Sequence, residues 1–107
     1  MKRLAFLVSL LAILALAPGG TTVRGLLYRV GPDGRNYPAS GISTRLTHPA
    51  YGPSSFSYSD GGGMYYLYNV PPGDFTLEVW LSPQNVWRFP VRALPQAFTD
   101  VPAIRVP

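Results

Sequence analysis

Met64-Tyr65-Tyr66-Leu67-Tyr68-Asn69-Val70, Pro71-Pro72-Gly73-Asp74, Phe75-Thr76-Leu77-Glu78-Val79-Trp80-Leu81 is the stretch on which the fold turns. Both apolar runs alternate with a period of two, the mark of a strand with one buried face. In the second run Phe75, Leu77, Val79 and Leu81 share one face, and Thr76, Glu78 and Trp80 the other, with Glu78 marking the wet side. In the first, Tyr65, Leu67 and Asn69 alternate with Met64, Tyr66, Tyr68 and Val70. Read as a hairpin with Leu67 and Leu77 both in the core, the pair needs partners with an even index sum, because a one-residue slip turns a whole core face outward. A plain four-residue loop over 71–74 breaks that parity by pairing Val70 with Phe75. A three-residue loop, or a five-residue loop over 70–74, keeps it, with Gly73 free to take positive φ. The expected pairs are 69–75, 67–77 and 65–79.

Outward from this unit the pattern repeats. From Thr21 onward, short apolar or aromatic runs alternate with Gly/Pro clusters every 8–12 residues or so, which predicts a small all-β sandwich or barrel. The expected strands are 22–30, 41–47, 55–59, 64–70, 75–82, 85–93 and 98–106. Proline falls in nearly every connection and inside the last two strands, at Pro90 and Pro102. A residue with no N–H cannot join a central ladder, so those two strands are expected at an edge or a bulge. Trp87, Phe89 and Val91 share a face expected in the core, which sends Arg88 and Arg92 to solvent.

The first 19 residues read differently. Lys2 and Arg3 precede an apolar run, 4–16, broken only by Ser9, and Ala15-Leu16-Ala17 then offers a small-x-small cleavage pattern before Pro18-Gly19-Gly20. The run is short for a bilayer span, which needs about 20 apolar residues. The expectation is a signal peptide over 1–19, a domain over 20–107, and a secreted or periplasmic location. Cleavage after Ala17, cleavage after Gly19 and retention as an anchor stay open, so any membrane contact is expected only through this segment. Without it the chain carries seven arginines, no lysine and five carboxylates, a net charge of +2. The arginines are scattered singly, so nucleic acid is not an expected partner.

At this point the residues resemble the carboxypeptidase regulatory-like domain, a transthyretin-like β-sandwich. The resemblance rests on Val23-Arg24-Gly25, Asp33-Gly34, Pro38-Ala39-Ser40-Gly41-Ile42 and Leu46. It continues through Ser59-Asp60, Gly63, Tyr65, Leu67, Val70-Pro71-Pro72-Gly73, Phe75, Leu77 and Val79. It covers about 22–81 and implies a seven-stranded antiparallel Greek-key sandwich that accompanies other proteins or domains rather than catalysing. The long 60–63 turn and the proline-rich C-terminal third depart from the pattern.

Chemistry is scarce. The chain has no cysteine, one histidine (His48) and one glutamate (Glu78). That excludes disulfides, thiolate metal sites and any site needing two imidazoles. A Ser–His–acid triad built on His48 lacks an elbow motif, and paired catalytic carboxylates are not available. Gly61-Gly62-Gly63 precedes no helix and is expected to be a turn, not a phosphate loop. Asp60 alone is a poor calcium site, and a chain without lysine after the leader cannot form a lysine isopeptide cross-link. No enzyme activity, cofactor or metal is expected.

The candidate binding residues are Met64, Tyr66, Tyr68 and Trp80 on the outward face of the expected hairpin, where Trp80 would lie across from Met64. An exposed aromatic patch of this kind suits a partner. The expected partner is an envelope or extracellular protein, with carbohydrate as the alternative. Sugar stacking calls for coplanar rings, whereas a protein interface calls for an uneven apolar patch with a polar rim.

Overall fold

The structure is a computed structural model that describes residues 20–107; the expected signal peptide over 1–19 lies outside the described residues. Within them the fold is all-β, with ten strands in two sheets rather than the seven expected. In chain order they are β1 (Thr21–Val30), β2 (Asn36–Pro38), β3 (Ser43–His48), β4 (Gly52–Pro53), β5 (Ser57–Tyr58), β6 (Met64–Val70), β7 (Gly73–Ser82), β8 (Asn85–Ala93), β9 (Phe98–Asp100) and β10 (Ile104–Arg105). The two short pieces β2 and β4 fall in segments read from sequence as connections, and the expected 98–106 strand is split in two around Pro102.

Sheet one is organised on β1. One flank of β1 pairs antiparallel with β6 and then with β2; the other pairs with β9 and then β10. The expectation of a wholly antiparallel sandwich fails on that second flank, since β9 and β10 run parallel to β1. A hairpin can only make antiparallel neighbours. Here the C-terminal chain leaves β8 in the other sheet and crosses to a vacant edge of β1, so no hairpin dictates its direction. Sheet two has the order β4-β3-β7-β8, with β5 also on β3. Its outer strand β8 carries Pro90, at the edge where a missing donor is tolerated.

The expected hairpin does not form. β6 pairs with β1, and β7 pairs with β3 and β8, so the pairs 69–75, 67–77 and 65–79 are replaced by an arch that joins the two sheets. The parity argument admits both outcomes. Leu67 and Leu77 do both face the core, but they face it from opposite sheets instead of lying side by side. Pro71 and Pro72, which donate no hydrogen bond, carry the chain across.

A bulge adjusts the end of β6. Val23 pairs with Leu67 and Thr21 with Val70, so two residues, Tyr68 and Asn69, stand opposite Thr22 alone. Asn69 takes φ 57° to fit. The extra residue shifts the alternation by one, so Asn69 is exposed and Val70 buried, the reverse of simple period-two reading.

Between the sheets lie Val23, Leu27, Leu46, Tyr65, Leu67, Val70, Phe75, Leu77, Val79, Val91 and Val106, with Trp87 and Phe89 packed partly against them. Buried hydroxyls are partnered: Thr21 with Thr99 at 3.0 Å, Ser59 donating to the Ala39 carbonyl at 2.6 Å, and Thr44 donating to that of Ser57 at 3.0 Å. Among the described residues the exception is Tyr65, fully buried with its hydroxyl unpaired. Its ring lies over its β1 neighbour Gly25, where a Cβ would come within 2.4 Å of the Tyr65 oxygen. Gly25 is therefore required by space, and the Val23-Arg24-Gly25 motif has a packing reason.

Leaving a buried hydroxyl unpaired costs about 1–3 kcal/mol. Tyr65→Phe should therefore keep or raise stability, whereas Gly25→Ala should lower it by about 1–3 kcal/mol through overpacking. Urea denaturation midpoints of the two variants measure both; a clear loss on Tyr65→Phe would show that the hydroxyl has a partner.

Candidate binding faces

Because β6 and β7 belong to different sheets, the four sequence-predicted site residues separate. Met64, Tyr66 and Tyr68 lie on the outer face of sheet one, and Trp80 on the outer face of sheet two. The expected contact of Trp80 with Met64 and Tyr66 does not exist, for the reason that breaks the hairpin.

On sheet one, alternation along β1 turns Thr22, Arg24, Leu26 and Tyr28 outward. The register sets Leu26 beside Met64, places Arg24 between Tyr66 and Asp100, and puts Thr22 beside Phe98. Tyr66 and Tyr68 stand nearly parallel, 13° apart with ring centroids 6.2 Å apart. Tyr68 is 68% exposed and Phe98 44%, while Tyr66, Met64 and Leu26 are half-buried. Arg24 donates from Nε to Asp100 Oδ1 at 2.6 Å, and its guanidinium carbon lies 3.8 Å from the Phe98 ring centre. The result is an open face of aromatic rings with one charged pair among them. A cleft of about 400 Å³ lined by Leu26, Tyr28, Tyr37 and Pro38 continues it at the far end of β1.

Alternation alone could have placed Arg24 beside the expected aromatic stripe once β1 was known to neighbour β6. Phe98 and Asp100 were beyond reach, since nothing in the residue pattern announces a parallel pairing.

Around Trp80 the outer face of sheet two is crossed by charged groups, with the indole half-buried and Phe56 and Tyr58 exposed beside it. Arg45, Glu78 and Arg88 lie in one cross-strand row over β3, β7 and β8. Glu78 Oε1 accepts from Arg45 Nε at 2.7 Å and from Trp80 Nε1 at 2.9 Å, and Oε2 lies 3.4 Å from Arg88 Nε. Phe56 meets Trp80 edge-on at 5.5 Å, and the Arg45 guanidinium lies over both rings. Under this cover the Glu78 side chain is only 8% exposed, although it sits on the outward side of its strand. Burial pushes its carboxyl upward, but the bonds from Arg45 and Trp80 and the charges of Arg45 and Arg88 outweigh it and hold the group below the ordinary carboxylate range.

Asp60 and His48 serve turns. Asp60 Oδ1 accepts the N–H groups of Gly62 and Met64 at 2.9 and 3.0 Å, capping the glycine turn. His48 Nδ1 accepts those of Ala50 and Tyr51 at 3.0 and 3.4 Å, and its ring stacks on Tyr51 at 4.5 Å. Among the described residues no three His, Cys, Asp or Glu side chains gather into a metal-binding group.

No family model and no curated protein matches the chain. Its fold is shared by solved structures. A candidate carbohydrate-binding protein of Pseudomonas aeruginosa superposes with a TM-score of 0.57 at 12% identity, over 83% of this chain and 90% of that one. The TIE protein of Bacillus anthracis gives 0.57 at 11%, over 82% of this chain and 16% of that much longer one.

Three carboxyls are held below their ordinary range in the folded chain: Glu78, Asp74 through its hydrogen bond from Arg92, and Asp33 through that from the Tyr37 hydroxyl. Depressed carboxyls contribute stability above their unfolded pKa, near 4, and lose it as pH falls through the folded value. Stability should therefore decline on acidification below about pH 4.5, and Glu78→Gln, which keeps an acceptor but no charge, should make the decline shallower. Urea midpoints measured from pH 7 downward check this; an unchanged slope would remove Glu78 from the account.

Proposed function

We propose that this chain is an exported, non-catalytic β-sandwich module of carboxypeptidase regulatory-like type whose sheet-one face binds carbohydrate. The observation that carries the reading is the parallel Tyr66–Tyr68 pair beside the Arg24–Asp100 pair on an open sheet face. Aromatic rings offer flat apolar area to the C–H faces of a sugar, and their phenols reach its hydroxyls. A charged pair at the rim supplies strong donors and acceptors for the same hydroxyls. The fold shared with the Pseudomonas protein supports the same reading. Export rests on the basic, apolar and small-residue order of the first 19 residues.

A protein partner on this face is the second reading, favoured by the apolar Met64–Leu26 row next to Tyr66. Interfaces of that kind centre on such a row, with the polar pair at the rim.

Pull-down and titration against insoluble and soluble polysaccharides separate the two. Tyr66→Ala and Tyr68→Ala should each weaken sugar binding about tenfold, with circular dichroism unchanged. Trp80→Ala, on the opposite sheet, should leave binding intact. Absence of binding across the panel, with capture of an envelope protein that depends on Tyr66 and Met64, would replace the carbohydrate reading by the adaptor one.

A further inference from the structure

Next to Tyr68, where the edges of the two sheets part, lies a second cleft of about 340 Å³. Core side chains Leu46, Val70 and Phe75 form its floor, and Tyr51, Tyr68 and Asn69 stand around it. Its polar groups are neutral; none of the lining side chains is charged.

Two features shape the walls. Tyr51 is 65% exposed, yet its backbone N–H is held by His48 Nδ1, and its ring is stacked on the His48 ring and lies 6.2 Å from that of Phe75. Asn69 is the only non-glycine residue with positive φ among the described residues. Asparagine is one of the few residues with a Cβ that take this conformation, and glycine would take the same turn freely. The bulge that sets this conformation also places the exposed Asn69 next to Tyr68, the ring shared with the sheet-one face. An amide both donates and accepts, and so matches a sugar hydroxyl in either role.

We infer that this cleft receives the terminal unit of an uncharged oligosaccharide whose preceding units lie on Tyr68 and Tyr66. The inference rests on the carbohydrate reading of the sheet-one face and adds to it a chain end and a charge class. The core floor blocks passage, which selects an end over an internal unit. None of the side chains that line it offers a cation to an acidic sugar.

Calorimetric titration of the intact purified protein tests this, with cellopentaose, xylopentaose, mannopentaose, maltopentaose and chitopentaose as probes and an oligogalacturonate as the acidic control. Asn69→Gly is the decisive variant, because it removes the amide while keeping or easing the backbone. For the pentasaccharide that binds, Asn69→Gly should lose about tenfold in affinity with an equal or higher melting temperature, Tyr51→Ala should lose a similar amount, and the acidic control should stay inert. Unchanged binding in Asn69→Gly and Tyr51→Ala, with loss in Tyr66→Ala, would overturn the cleft and leave the face standing. Loss in the first two with none in Tyr66→Ala would keep the cleft and overturn the face. Binding of the oligogalacturonate in preference to the neutral probes, or of no probe at all by the unaltered protein, would overturn the inference.

Discussion

The packing of the Tyr65 ring onto the bare backbone of Gly25 governs the centre of the sandwich and, through it, the outer surface. These two residues are registered neighbours on β6 and β1, and the ring fills the space that any Cβ at 25 would occupy. A slip of one residue would set the ring against a side chain and expose Leu67. The same register that buries Val23 beside Leu67 sets Arg24 beside Tyr66 on the other side of the sheet. The charged group registered with Tyr66 is thus positioned by a contact in the core. An unpaired buried hydroxyl is tolerated for this packing, in a core whose other buried hydroxyls are partnered.

Both outer faces use the same elements, an arginine over aromatic rings and paired with a carboxylate, and burial makes them opposite in character. Around Trp80, Glu78 is enclosed and bonded to Arg45 and Trp80, with Arg88 close by. Breaking into that cluster would strand a buried charge, which is strongly unfavourable. On sheet one Asp100 is largely exposed, and the Arg24 bond to it is the weak, solvent-screened kind that can be shared with a ligand. The ring of Tyr68 there remains open to water. The charged pair of sheet one is thus open to solvent, whereas the carboxylate beside the larger indole is enclosed.

Much of the fold was legible in the residues. The bounds of β6 and β8 match the expected runs, and the inward stripes of Tyr65 and Leu67 and of Phe75, Leu77 and Val79 are buried as read. The site was legible only in part. Tyr66 and Tyr68 share a face, but Trp80 joined them only on the assumption that adjacent strands pair. Asn69 and Val70 changed places because an inserted bulge residue resets the alternation, and a bulge leaves little trace in the hydrophobic pattern. The short strands β2 and β4, rich in residues that usually form turns, pair because long neighbours present free edges to them.

By itself, then, the sequence determined which side chains face inward along the unbulged stretches, where proline and glycine interrupt the strands, and which chemistries lack the residues to occur. Only the tertiary structure decided that the arch at Pro71-Pro72 sends β6 and β7 to opposite sheets, that β9 runs parallel to β1, and that Arg24, Tyr66 and Phe98 meet on one face. The reason is physical. Period-two alternation records the side of a strand that avoids water, whereas partner choice is made by backbone N–H and carbonyl groups, which are the same at almost every residue.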